Sequence, residues 1–331
     1  MKRRAFLGAL GGAAVWPLAA RAQQAERVRH IAILIGPAEA DVEARSRLDA
    51  FRKGLRASGW IEGENVKIET RWGAGNPAQI QAHAQALVNS APDVIFANST
   101  PVTAALKRAT ASIPIVFAVV TDPIGDGFVA SLSRPGGNIT GFSSFDSEIG
   151  GKWVEILKEI APRVTHAALL FNPRTVPGGG TGGIRPFVDA AARKLSIELL
   201  ANPVESTAAI ESALTGHARQ ANSGLIAMPD SFITVNSALV IRLAERLRLP
   251  TIYPFRFFVD AGGLVSYGVD TVDLNLRAAS YVDRILKGAK PADLPIQTPT
   301  RFELAINLKV AKSLGLIIPP SLLARADIVV D

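Results

Sequence analysis

Two short polar groups in this sequence have the residue types to hold a small charged molecule. Asn98-Ser99-Thr100-Pro101 follows an apolar run and sets a hydroxyl ahead of a proline suited to the first turn of a helix. Free backbone N–H groups and the positive end of the helix dipole would receive a carboxylate there. The same residues also suit plain helix capping, and both readings stand. Asp230 ends a second apolar run, where its carboxylate could pair with an ammonium or cap a helix from Ser231 onward. A carboxylate site facing an ammonium site suits an amino acid. Thr121-Asp122-Pro123 ends a third run, although Asp122-Pro123 is also a common turn signal. Phe142, Phe171 and Tyr253 fall at strand ends, where aromatics wall a pocket or fill a core.

The residues of catalysis are not arranged for it. The four histidines, His30, His83, His166 and His217, match no metal-ligand spacing, and neither G-x-S-x-G nor H-E-x-x-H occurs. Gly178, Gly180 and Gly183 formally satisfy G-x-G-x-x-G. A dinucleotide turn follows its strand closely, whereas here 172–177 intervene, so the glycine run reads as a rim loop. No catalytic residue, metal or cofactor is expected.

Short apolar runs alternate with amphipathic stretches, the pattern of βα units in parallel sheets, and the fold class expected is α/β. The first series predicts strands over 30–35, 65–71, 94–97, 115–119 and 139–142, with helices over 42–58, 78–89 and 102–109. The second predicts strands over 167–171, 198–202, 225–227, 251–253 and 264–267, with helices over 185–195, 208–221 and 237–247. The series echo each other in order. Asp93-Val-Ile-Phe-Ala-Asn98-Ser99-Thr100 parallels Gly224-Leu-Ile-Ala-Met-Pro229-Asp230-Ser231, and Ile113-Pro114-Ile115-Val116-Phe117 parallels Leu249-Pro250-Thr251-Ile252-Tyr253. Two matched pairs in the same order indicate a duplicated lobe. Two such lobes bring the carboxyl ends of their strands to a shared cleft.

Length and composition agree with two soluble lobes. The 331 residues are 48% hydrophobic and 20% charged, ordinary globular usage that sets aside disordered, collagenous and coiled-coil classes. The formal charge of +7 includes Lys2, Arg3, Arg4 and Arg21; without those four, +3 remains. That balance gives no footprint for a phosphate backbone, and nucleic acid is not an expected partner. Residues 1–22 read as an export signal: Lys2-Arg3-Arg4, an uncharged stretch over 5–20, then Ala20-Arg21-Ala22 before a cut at Gln23. Arg3-Arg4-x-Phe6-Leu7 resembles the twin-arginine type. No cysteine is present to carry a lipid or a disulfide. A released protein in a Gram-negative periplasm is the expected location.

Longer motifs carry a family resemblance. They are Gly127-Phe-Val-Ala-Ser-Leu-Ser-Arg-Pro-Gly-Gly-Asn-Ile-Thr-Gly-Phe142, Ala261-Gly-Gly-Leu-Val-Ser-Tyr-Gly268 and Tyr281-Val-Asp-Arg-Ile-Leu-Lys-Gly-Ala-Lys-Pro-Ala-Asp-Leu-Pro295. Phe302-Glu-Leu-Ala-Ile-Asn-Leu-Lys309 and Ile318-Pro-Pro-Ser-Leu-Leu-Ala-Arg-Ala-Asp327 complete the set. In this order they resemble the tryptophan-binding-protein-like family of ABC transporter substrate-binding proteins. The resemblance implies a type I periplasmic binding fold of two Rossmann-like lobes joined by three crossings. The crossings are expected near 142–145, 266–268 and 295–300, with Phe142, Tyr267 and Gly268 in the hinge. One lobe would comprise 23–142 plus 268–295, the other 143–267 plus 296–331.

The resemblance also implies ligand contacts from the loops after the first strands of each lobe. Those positions are Gly36, Pro37, Asn98, Ser99, Thr100, Thr121 and Asp122 on one side, and Phe171, Asn172, Asp230 and Tyr253 on the other. Asn172-Pro173-Arg174 departs from the Asn-Pro-x-Asn loop frequent among members, and Arg174 could face an anionic ligand. The expected function is a monomeric receptor that closes on a small solute, an amino acid or aromatic carboxylate, and delivers it to an inner-membrane ABC permease. A sensor docking on a signalling receptor is an alternative, and a periplasmic cofactor enzyme a further one.

Overall fold

In the computed structural model, which describes residues 27–176 and 183–331, the apolar runs become strands of two separate sheets. The export signal expected at 1–22 and residues 177–182 of the glycine run lie outside the described residues. The first sheet holds β1 (Arg29–Ile35), β2 (Val66–Trp72), β3 (Val94–Asn98), β4 (Ile115–Val120) and β5 (Ile139–Ser143), in the order β2-β1-β3-β4-β5 and all parallel. β1 and β3 to β5 are buried almost throughout, which explains their unbroken apolar runs where an exposed sheet would alternate.

The second sheet repeats the plan. β6 (His166–Phe171), β7 (Glu198–Pro203), β8 (Ser223–Ala227), β9 (Thr251–Tyr253) and β10 (Val265–Gly268) lie in the order β7-β6-β8-β9-β10, the arrangement of β1 to β5 again. Two further strands extend it: β11 (Glu303–Asn307), antiparallel to β10, and β12 (Ile328–Val330), parallel to β11. The sequence reading placed no strand in either segment. β11 arrives from the other lobe through a crossing, not through a βα unit, so no local alternation announced it.

Helices cover both sheets. α1 (Val42–Ala57), α2 (Pro77–Asn89) and α3 (Thr100–Ala109) belong to the first series. α4 (Ile149–Ile160), α5 (Arg185–Lys194), α6 (Thr207–His217), α7 (Ser231–Val235), α8 (Ser237–Arg246) and α9 (Arg256–Asp260) follow in the second. α10 (Thr271–Leu286) returns to pack on α1, and the short α11 (Leu308–Ser313) and α12 (Pro320–Leu323) close the chain. Side-chain caps fix several starts: Asp41 accepts from the Ala44 N–H, Ser206 from that of Ala209, and Asp270 from those of Val272 and Asp273. α6 stops at His217, earlier than the expected 221, because His217 turns inward to pair its Nε2 with the Gly224 carbonyl at 2.9 Å.

The chain passes between the sheets three times: after β5, after β10, and before β11. The first and third passages touch. Ser143 donates its N–H to the Gln297 carbonyl at 2.9 Å, and Gln297 donates to the Gly141 carbonyl at 3.0 Å. Phe142 is buried there, edge-on to Tyr281 at 4.9 Å between centroids. Tyr267 stacks on Phe302, while its carbonyl accepts a 2.7 Å bond from the indole N–H of buried Trp153.

Candidate functional site

In both sheets the strand order reverses beside the first strand, between β1 and β3 and between β6 and β8. Open α/β sheets bind ligands outside the carboxyl ends of their strands at such switch points. Both switch points face one cavity of about 610 Å³, within the usual range for small-molecule sites. Gly36, Pro37, Asn98, Ser99, Thr100 and Thr121 line it from one lobe, and Asn172 and Asp230 from the other. Thr121 bridges the lobes, its hydroxyl 3.5 Å from the Pro229 carbonyl.

Three expected residues lie elsewhere. The Asp122 carboxylate accepts from the Gly125 N–H at 2.8 Å, the turn alternative of the sequence reading, and does not line the cavity. Phe171 is buried at the end of β6, and Tyr253 is 1% exposed and stacked on Phe258 with centroids 4.9 Å apart. Both belong to the core of their lobe, and neither is on the cavity wall. Burial pushes the Tyr253 hydroxyl well above the ordinary phenol range.

The start of α3 differs from an ordinary cap. Ser99 occupies the cap position as expected, but its side chain makes no capping bond. Its backbone sits at φ 109°, ψ 157°, a conformation that costs a non-glycine residue energy and that clusters at functional sites. The Ser99 hydroxyl is buried, without a partner, and lies 2.6 Å from where a Cβ on Gly36 would stand. Glycine at 36 is what lets the two loop ends meet. In the first turn of α3, Pro101 has no N–H and the Thr103 N–H goes to the Ser99 carbonyl at 3.1 Å, which leaves those of Thr100 and Val102 without a side-chain cap.

A second strained residue lies on the same wall. Val119 has φ 59°, where β-branched residues rarely go, at the point where β4 shifts register against β5. It lines the cavity together with Phe232, Val235 and Phe255. These make part of the cavity wall apolar.

The charge inside is mainly positive. Arg47 projects from the middle of α1 and is 4% exposed. Its Nε donates to Glu43 and to the Thr271 hydroxyl, each at 3.1 Å, while its Nη2 has no partner. Its guanidinium also lies 5.6 Å above the Phe257 ring of the other lobe. Arg108 and Arg174 line the cavity as well, Arg174 being the residue the departing loop had suggested. The acids are Glu205, exposed, and Asp230, buried. No local motif marks Arg47, but one signal was available: it falls in register with Ala44, Leu48, Phe51 and Leu55 on the buried face of α1. A charge on an apolar stripe asks for a partner.

Asp230 is held by its own lobe. One oxygen accepts from the Ile233 N–H at 2.7 Å and the Thr175 hydroxyl at 3.2 Å, the other from the Asn172 N–H at 2.8 Å. Of its two readings, these are the bonds of the cap. Burial outweighs the donors and pushes its carboxyl up to about 6 from 3.8. A carboxyl that holds its proton more tightly when folded contributes stability that is complete below 3.8 and is lost as pH rises through about 6. Lowering the pH from above 7 to 5 should therefore raise the melting temperature of the wild-type protein relative to Asp230→Asn. A difference between the two that stays constant across that window contradicts the assignment.

Comparison with known proteins agrees with this architecture. The family model for ABC transporter substrate binding protein matches residues 32–330. A tyrosine-binding protein of Clostridioides difficile (strain R20291) is 28% identical over 269 residues, covering 80% of this chain and 75% of that protein. A conserved domain protein of Vibrio cholerae superposes with a TM-score of 0.84 at 29% identity, over 92% of this chain and all of the other. An ABC domain in complex with L-Trp from Streptococcus pneumonia does so with a TM-score of 0.84 at 27% identity, over 91% of this chain and 99% of the other.

Proposed function

The chain belongs to the ABC transporter substrate-binding protein family, and from that premise we propose that it is the periplasmic receptor of an importer, enclosing a small carboxylate between its lobes. The solute is an amino acid or an aromatic carboxylate, and the partner is an ABC permease of the inner membrane. One observation carries the reading: Ser99, at the start of α3 that its side chain leaves uncapped, and Arg47, both residues of the cavity wall, each keep an unpartnered donor. Donors buried without acceptors are costly, and three arginines against two acids on the cavity wall favour an anion there. Relatives named for tyrosine and solved with L-Trp bind solutes of that kind.

The contacts suit hinge closure. Thr121 with Pro229 and Arg47 with Phe257 reach across the cleft, and a ligand touching both walls stabilises the closed form by its differential affinity. The protein acts alone in solution and docks on its permease when closed. Residues 1–22, cut near Ala22, deliver it through the twin-arginine route.

A thermal-shift panel of amino acids, aromatic carboxylates, sugars and nucleosides, on protein unfolded and refolded to remove carried ligand, tests the proposal. Carboxylates should raise the melting temperature by about 5 °C at a hundredfold excess over Kd. Shifts confined to sugars or nucleosides would contradict it.

A further inference from the structure

Resting on the receptor reading above, we propose that Asp230 is the positioning residue of the second lobe's cavity wall, and that the cleft holds its solute tightly only while that carboxylate is charged. Two separate pieces of chain form this wall, and one buried group ties them together.

The loop after β6 supplies Asn172, Arg174 and Thr175 to the wall, and α7 supplies Phe232, Thr234 and Val235. Asp230 lies between the two pieces and is 3% exposed. It draws in the helix through the Ile233 N–H at 2.7 Å, and the loop through the Asn172 N–H at 2.8 Å and the Thr175 hydroxyl at 3.2 Å. Asn172 in turn accepts from the Arg174 N–H at 2.8 Å, so the turn follows wherever Asn172 is held. The carbonyl of Pro229, one residue before Asp230, meets the Thr121 hydroxyl from the opposite wall. Both pieces of the wall and one contact across the cleft thus converge on a single carboxylate.

All three donors point at an acceptor that carries no proton. A proton there turns one oxygen into a donor and removes the charge from both, and hydrogen bonds to an ionised acceptor are roughly twice as strong as neutral ones. The ties to the loop and to α7 then weaken. A solute that touches both walls favours the charged arrangement, so proton and solute compete. Burial, which pushes the carboxyl up to about 6, brings that competition into the range of ordinary pH. The donors to Asp230 are backbone and hydroxyl groups, none of them charged. α7 carries no charged residue, and the charges around the cavity are Arg174 on the loop, Glu205 after β7, and Arg47 and Arg108 on the opposite wall. Arg47 is bonded to Glu43 and Arg108 to Gln81, while Asp122, beside Thr121, turns its carboxylate to the Gly125 N–H. No histidine lines the cavity among the described residues.

Calorimetric titration of the wild-type protein with L-tryptophan, L-tyrosine and phenylacetate at pH 7, 6 and 5 tests the competition. The two amino acids keep their charges over that range, and the carboxyl of phenylacetate titrates below it. Affinity should fall about tenfold between pH 7 and pH 5, as expected for a group that must lose a proton with a midpoint near 6. In Asp230→Asn it should be weak and the same at all three. The Asn172 and Ile233 amide signals, followed by NMR without ligand, should move with a midpoint of about 6 in the wild type. The wild-type measurements decide the matter even where the variant does not fold. Amide signals that titrate while affinity stays constant overturn this inference and leave the receptor reading intact. Amide signals that stay in place between pH 7 and pH 5 overturn it as well, and so does a fall in affinity that persists undiminished in Asp230→Asn. No binding by any of the three at pH 7 overturns the receptor reading and this inference with it.

Discussion

Arg47→Met should weaken binding of a carboxylate ligand by about a hundredfold, the loss expected when a buried charged donor facing an anion is removed. Methionine keeps the length of the stem, so the packing of α1 against its neighbours is largely preserved. What disappears is the guanidinium: its unpartnered Nη2, its bonds to Glu43 and Thr271, and its approach to Phe257 across the cleft. Glu43 keeps its bond from the Thr271 hydroxyl and has a quarter of its side chain in solvent, so the variant leaves no sealed, uncompensated charge. Calorimetric titration with the best carboxylate of the panel measures the effect, and circular dichroism confirms that the variant is folded. An affinity within threefold of wild type would assign Arg47 to the packing of α1 and remove it from the site.

Gly268→Ala should cost about 3 kcal/mol of stability or prevent folding, as overpacking against backbone does. A Cβ at 268 would stand 1.7 Å from the carbonyl oxygen of Pro254. That oxygen belongs to the segment between β9 and α9, and Gly268 ends β10 just before the second crossing. Neither strand end can retreat without breaking the pairing of β10 with β9 or β11. The sequence reading gave Gly268 a hinge role through its dihedral freedom. Its φ is not among the positive ones, and a side chain at 268 would meet the Pro254 carbonyl oxygen. Urea unfolding of the variant checks this, and a midpoint unchanged from wild type would show that the crossing gives way without cost.

The alternating pattern made the two lobes legible because β1, β3, β4, β6, β8 and β9 are buried on both faces and read as unbroken apolar runs. The loops after them were legible for the same reason: a strand end at a switch point is a place where a ligand must pass. Tyr253 and Phe171 show the limit of that rule, since an aromatic at a strand end can point along the sheet into the core as well as out of it. β11 was missed because it pairs with β10 across a crossing, a relation with no local period, and β12 is only three residues long and pairs with β11 alone. The strain at Ser99 and Val119 was also out of reach, as nothing in Ala97-Asn98-Ser99-Thr100 or Phe117-Ala118-Val119-Val120 signals a positive φ. Arg47 lies far in sequence from the loops it faces, and only its place on an apolar helix stripe hinted at a buried role.

A carboxylate held at the start of α3 is the centre of the proposed function, and it can be tested with a ligand differing only at that group. Indole-3-acetate and indole-3-acetamide have nearly the same shape, and the amide lacks the charge. Titrated side by side into the refolded protein, the acid should bind at least about a hundredfold more tightly than the amide. The gap should shrink to about tenfold or less in Arg47→Met. An amide that binds as tightly as the acid would contradict the anion site and move the ligand to another part of the cleft.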